Sequence, residues 1–101
     1  MTLTIEVQPY LEDKIRYLLS KQKNSDFLIN DYISHKILET EKAIFNIEKD
    51  LRKFEKKYNL STSEFYKQYE TGFYGDHDDF MFWAGLHELH QKNINELKKL
   101  K

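Results

Sequence analysis

The sequence predicts a mainly helical fold with an N-terminal β-strand, followed by a first helix, a long helix, a short helix and a C-terminal helix. Three observations carry that reading. The 101 residues hold only three Gly and one Pro, too few for a sheet joined by tight turns. The first eight residues alternate strictly, with Met1, Leu3, Ile5 and Val7 on one side and Thr2, Thr4, Glu6 and Gln8 on the other, the period of a half-buried strand. From Ser25 to Thr71 no Gly or Pro interrupts a pattern that repeats at three and four residues. The length fits one domain.

Pro9 closes the strand. A lone strand on a helical chain leaves both its edges unpaired, and the economical partner is the same strand of a second copy, which predicts an intermolecular ribbon and a homodimer. From Tyr10 the period becomes helical, with Leu11, Ile15, Leu18 and Leu19 on one face and Glu12 and Asp13 in the first turn, where they complement the helix dipole. Residues 21–24 end this helix, Asn24 tolerating a left-handed turn. Ser25 is a suitable cap for the long helix, with Asp26 in its first turn. Along it a heptad places Asn30, Ile37, Ile44, Leu51 and Tyr58 at one position and Ile33, Thr40, Ile47 and Phe54 at the other. This seam either pairs with a second copy or packs on the chain's own last helix through Phe80, Trp83 and Ile94. Intrachain packing is favoured near Leu51 and Phe54.

Ser61-Thr62-Ser63-Glu64 reads as a capping box that opens a short helix carrying Phe65, Tyr66 and Tyr69, which stops by Gly72. After a loop, Asp78 or Asp79 is the expected cap of the last helix, whose main stripe is Phe80, Trp83, Leu86, His87, His90, Ile94 and Leu97, with Phe82 and Leu89 off it. The chain thus divides into residues 1–40 for dimerisation, 41–58 as a helical extension and 59–101 as a C-terminal partner-binding region.

Composition removes several classes of function. With no Cys there is no disulfide framework, thiolate metal site or cysteine nucleophile. No apolar run approaches the roughly 20 residues a membrane helix needs, and the start of the chain, with no Lys or Arg before Lys14, does not look like a secretory leader. The expected location is the cytoplasm. No glycine-rich phosphate cradle, activated nucleophile or acid/base pair is evident, so no enzyme activity and no cofactor are expected. His87 and His90, three apart with Asp76, His77, Asp78 and Asp79 nearby, can be drawn as a metal site, but without a third defined ligand the pair reads as a partly buried helix face. The net charge of -1 conceals a segregation: residues 59–90 hold one Lys against six Asp or Glu, together with eight of the fifteen aromatic residues. Large aromatics seek burial, so an acidic segment rich in them has the character of an interface.

The order strand, helix, turn, helix, with Leu3, Ile5 and Val7 inward and a capped second helix at Ser25-Asp26-Phe27-Leu28-Ile29, resembles the ribbon-helix-helix family over residues 1–40. That resemblance implies a dimer with a two-stranded ribbon. It also implies operator DNA as a ligand, contacted by the outward Thr2, Thr4 and Glu6, with Ser25 at the start of the second helix on a backbone phosphate. No Arg or Lys stands in the outward set to make the commonest contact to guanine, and residues 1–38 balance to zero charge, so a ribbon kept for dimerisation alone is the alternative. The second half, from Lys57-Tyr58-Asn59-Leu60-Ser61 through Gly75-Asp76 to Trp83 and Glu88-Leu89, is similar to a segment of small antitoxin-like proteins of cyanobacteria and archaea.

Together these resemblances imply the antitoxin of a type II toxin-antitoxin module. Its partner would be a basic toxin, an RNase being the leading class, held by Phe65, Tyr69, Phe73, Tyr74, Asp76, Asp78, Asp79 and Phe82. Two alternatives stand beside it: a stand-alone transcriptional regulator of the same fold, and a structural helical dimer that does not bind DNA.

Overall fold

The computed structural model describes residues 1–21, 25–75 and 77–101. Among them are four helices, α1 (Pro9–Lys21), α2 (Ser25–Tyr58), α3 (Thr62–Glu70) and α4 (Asp78–Leu100), and no strand. The expected N-terminal strand, and the ribbon built from it, are therefore corrected. Residues 1–8 carry no regular structure, and Leu3 and Ile5 are exposed, not half-buried. Alternation is a local signal, whereas a strand needs N–H and C=O partners on a second extended segment, and every other regular element described is helical. The segment leads instead into α1. Pro9 takes the first helical position, where its missing N–H is no loss, and the Gln8 carbonyl accepts from the amides of Leu11 (2.9 Å) and Glu12 (3.2 Å). The turn expected at Asn24 lies outside the described residues.

The chain separates into two compact units, residues 1–35 and 36–101. The second unit is built from α2 beyond His35, α3 and α4. Three ion pairs give the register of α4 against α2: Lys57 with Asp79 (2.7 Å), His90 with Glu48 (3.0 Å) and Lys101 with Glu41 (3.0 Å). As the number rises along α4 it falls along α2, so the two helices run antiparallel.

Between them lies an aromatic core. Ile47, Leu51, Phe65, Trp83 and Ala84 form its buried centre, with Phe54, Tyr58, Tyr69, Tyr74 and Phe80 packed around it. The rings of Phe65 and Trp83 stack at 3.9 Å and 3°, and Phe54 and Tyr58 flank Trp83 at 5.6 and 5.8 Å. Phe65 and Trp83 are both fully buried, each contributing about 4–6 kcal/mol by apolar area removed from water. The heptad seam of α2 therefore turns toward the chain's own α4 at Leu51 and Phe54.

The start and stop of α3 follow from local chemistry. Ser61 caps it, its hydroxyl accepting from the Glu64 amide (3.2 Å). At the other end the Phe73 amide reaches the Gln68 carbonyl (3.2 Å) and the Gly72 amide the Tyr69 carbonyl (2.9 Å), a double closure that requires the left-handed backbone Gly72 adopts at φ 81°. The cap of α4 differs from expectation. His77 takes the position, its Nδ1 accepting from the Asp79 amide (3.2 Å), which leaves Asp78 and Asp79 in the first turn of the helix.

Candidate functional site

The two units offer different surfaces. In residues 1–35 no side chain of α1 is buried. The apolar face predicted for this helix exists, but it lines an open groove of about 700 Å³ with Ile5, Val7, Ile15, Leu19, Leu28 and Ile29. Ile15, Leu19 and Leu28 are half-buried at its floor, while Ile5, Val7 and Ile29 are exposed at its walls. Glu6, Glu12 and Arg16 form the rim, and Arg16 is held along α1 by Glu12 at 2.9 Å. Among the described residues Glu6 forms no ion pair. The groove is shaped to take apolar side chains, with a rim that favours a cation beside them.

In residues 36–101 the notable polar feature is a chain of hydrogen bonds reaching the core. The indole N–H of Trp83 donates to Thr62 Oγ1 (3.0 Å), and the Thr62 hydroxyl and amide both donate to Glu55 Oε2 (2.8 Å each). Arg52 donates to the other Glu55 oxygen (2.9 Å). Burial alone would raise the Glu55 carboxyl, but the Thr62 donors and the Arg52 charge outweigh it and hold the group below its ordinary value. Beside this lies a recess of about 190 Å³ lined by Glu55, Ser61, Ser63, His87 and His90 among others. Burial and the neighbouring His90 hold His87 below its usual range. Because Glu55 already accepts from Thr62 and Arg52, and His90 is paired with Glu48, these groups serve the chain's own packing. Among the described residues no three of His, Asp or Glu stand together as a metal-ligand set.

The residues expected to touch DNA are all exposed: Thr2, Thr4 and Glu6 on the irregular N-terminal segment, and Ser25 at the first position of α2. Without a ribbon there is no paired face to carry the first three into a groove together, and Glu6 lies on the rim of the apolar groove instead.

The residues expected to touch a partner scatter by burial. Phe65 is wholly inside the core, and Tyr69 and Tyr74 pack against it at 5.6 and 5.3 Å. Asp79 is engaged within the chain by Lys57 and Tyr58, whose hydrogen bonds hold its carboxyl below the ordinary value. Asp76 lies outside the described residues. Phe73 (72% exposed), Phe82 (59% exposed) and Asp78 remain at the surface.

Periodicity alone does not reveal the role of Thr62. Its position in a capping box concealed that its hydroxyl would meet an indole 21 residues away. Among the described residues no helix is long and apolar enough to cross a membrane. Comparison with models of protein families, with curated proteins and with solved structures finds no match for this chain.

Proposed function

We propose that this chain acts by binding another polypeptide, with the groove of residues 1–35 as the dock. The observation that carries the reading is the contrast between an apolar groove of about 700 Å³ and a helix, α1, with no buried residue. An apolar face of that kind is stabilised when something covers it. The partner that fits is an amphipathic helix whose apolar side chains enter between Ile15, Leu19 and Leu28 while a basic flank meets Glu6.

The narrower form of the reading is an antitoxin that neutralises a basic toxin. The acidic balance of residues 59–90 supports it, as does the exposure of Phe73, Glu70 and Asp78, which gives a basic partner a second place to touch. Co-expression with the product of the adjacent gene tests both forms. The expected result is co-purification that Ile15→Glu with Leu19→Glu abolishes. With the groove unchanged, Phe73→Ala with Asp78→Lys should weaken the co-purification if the partner reaches that surface. Capture of the neighbour undiminished by the groove substitutions would overturn the docking reading.

A further inference from the structure

The outer side of α4 carries a feature that the fold of this chain does not use. Trp83 and Ala84 turn into the core, while Met81, Gly85 and Leu89 are exposed on the other side of the helix and Phe82, partly exposed with its ring 5.9 Å from that of Phe54 in α2, stands at the edge of that side. Gly85 has ordinary helical backbone, and a Cβ placed on it would meet nothing within 4 Å. Glycine inside a helix weakens the helix relative to alanine. Nothing in the described chain requires the missing side chain, so the space it leaves faces outward.

The residues around Gly85 are arranged symmetrically. Met81 and Leu89 stand four positions either side of it, and Asp78 and Lys92 seven positions either side. Asp78 and Lys92 are both exposed, and neither forms an ion pair with another described residue. We propose that this face of α4 pairs with the same face of a second copy, antiparallel, about a two-fold axis at Gly85. In that arrangement each residue before Gly85 meets the residue equally far after it on the other copy. Met81 then packs on Leu89 of the second copy, Phe82 at the edge lies beside the aliphatic stem of Glu88 of the second copy, and Asp78 meets Lys92 of the second copy at both ends. Gly85 against Gly85 lets the two helices approach closely enough for these contacts to form.

The charges select this occupant and this direction. A parallel pairing would set Asp78 on Asp78 and Lys92 on Lys92, with repulsion at both ends. A self-complementary patch is what a two-fold interface requires, since every contact is made twice.

Sedimentation equilibrium of the full chain at low salt tests the proposal. The expected result is a dimer whose dissociation constant rises by about tenfold or more in Gly85→Leu, because a bulky side chain at the axis separates the helices. Asp78→Lys and Lys92→Asp should each weaken the dimer, and the two combined should restore it, because the exchanged charges again meet. Circular dichroism confirms that each variant is folded, and Gly85→Ala gives an internal control. It should raise the melting temperature of the dilute chain and still weaken self-association.

A chain that stays monomeric up to about 1 mM overturns the proposal. So does a dimer indifferent to Gly85→Leu, or single charge reversals that the double exchange does not rescue. Leu19→Glu, in the other unit, should leave this dimer intact. Loss of self-association in that variant alone would move the contact to the groove of residues 1–35 and overturn the assignment to α4.

Discussion

Residues 36–101 and residues 1–35 have a similar supply of apolar side chains and use it in opposite ways. In the larger unit, three helical segments enclose Phe65 and Trp83, and the stacked pair at 3.9 Å organises a shell of further rings. In the smaller unit, α1 and the first part of α2 carry Ile15, Leu19, Leu28 and Ile29 but leave them lining an open groove. The difference lies in enclosure more than in hydrophobicity. Two helical segments can cover one side of each other, whereas a third is needed to close a core, and large aromatic rings fill such a core with few residues. An apolar face left open in this way is available for a partner, while a closed core supplies stability and a fixed frame.

The sharpest way to break this contrast is at Trp83. Trp83→Ala removes the largest buried ring and leaves the Thr62 hydroxyl without its indole donor, and it should destabilise the chain by about 3–5 kcal/mol in urea titrations followed by circular dichroism. A loss below about 1 kcal/mol would mean that the aromatic core does not organise the larger unit.

Next in size is the polar support of that core. Glu55→Ala strips both Thr62 donors of their acceptor and should cost about 1–3 kcal/mol, while Glu55→Gln, which keeps one oxygen, should cost less. The same group gives a pH signature. Its folded pKa lies below the reference 4.5, so the stability it contributes is present above pH 4.5 and is lost as the pH falls through the lowered value. His87 acts in a neighbouring window. Its folded pKa is depressed below 6.5, so the unfolded chain takes up its proton first, and stability declines as the pH drops from 6.5 toward the folded value. Thermal melts from pH 8 to 3 should show both declines, and Glu55→Gln should shrink the lower one, leaving the part that belongs to Asp79. A melting temperature flat across that range would contradict the hydrogen-bonded Glu55.

The smallest effect is expected in the smaller unit. Leu19→Ala should change the stability of the isolated chain by under about 1 kcal/mol, since the groove it lines is open and little enclosed surface is lost. Hydrogen exchange sharpens the point: amides of α1 should exchange faster than those of α2 around Ile47 and Leu51, and slow when a partner fills the groove. A loss at Leu19 comparable with that at Trp83 would show that the two units are equally closed.

Much of the local structure was legible before any fold was seen. The course of α2 from Ser25 to Tyr58 followed from the absence of helix breakers, although Ser25, expected as its cap, is already its first helical residue, and α3 followed from Ser61 and Gly72, because caps and stops act over three or four residues. The N-terminal segment shows where that legibility ends. The alternation of residues 1–8 describes which side chains share a side, but a strand exists only when another backbone pairs with it, and no local pattern supplies that backbone. The eight aromatics of residues 59–90 show the same limit. Their composition marked them as interface or core without dividing them, and the division came from what surrounds each ring. Phe65 met Trp83 across the core, while Phe73, eight residues later and of the same chemistry, fell in a turn where no helix covers it. Helix, cap and charge were determined by neighbours in the sequence. Which apolar faces close on one another, and which stay open for a partner, was decided by contacts between residues far apart in the chain, because burial depends on everything that packs around a side chain.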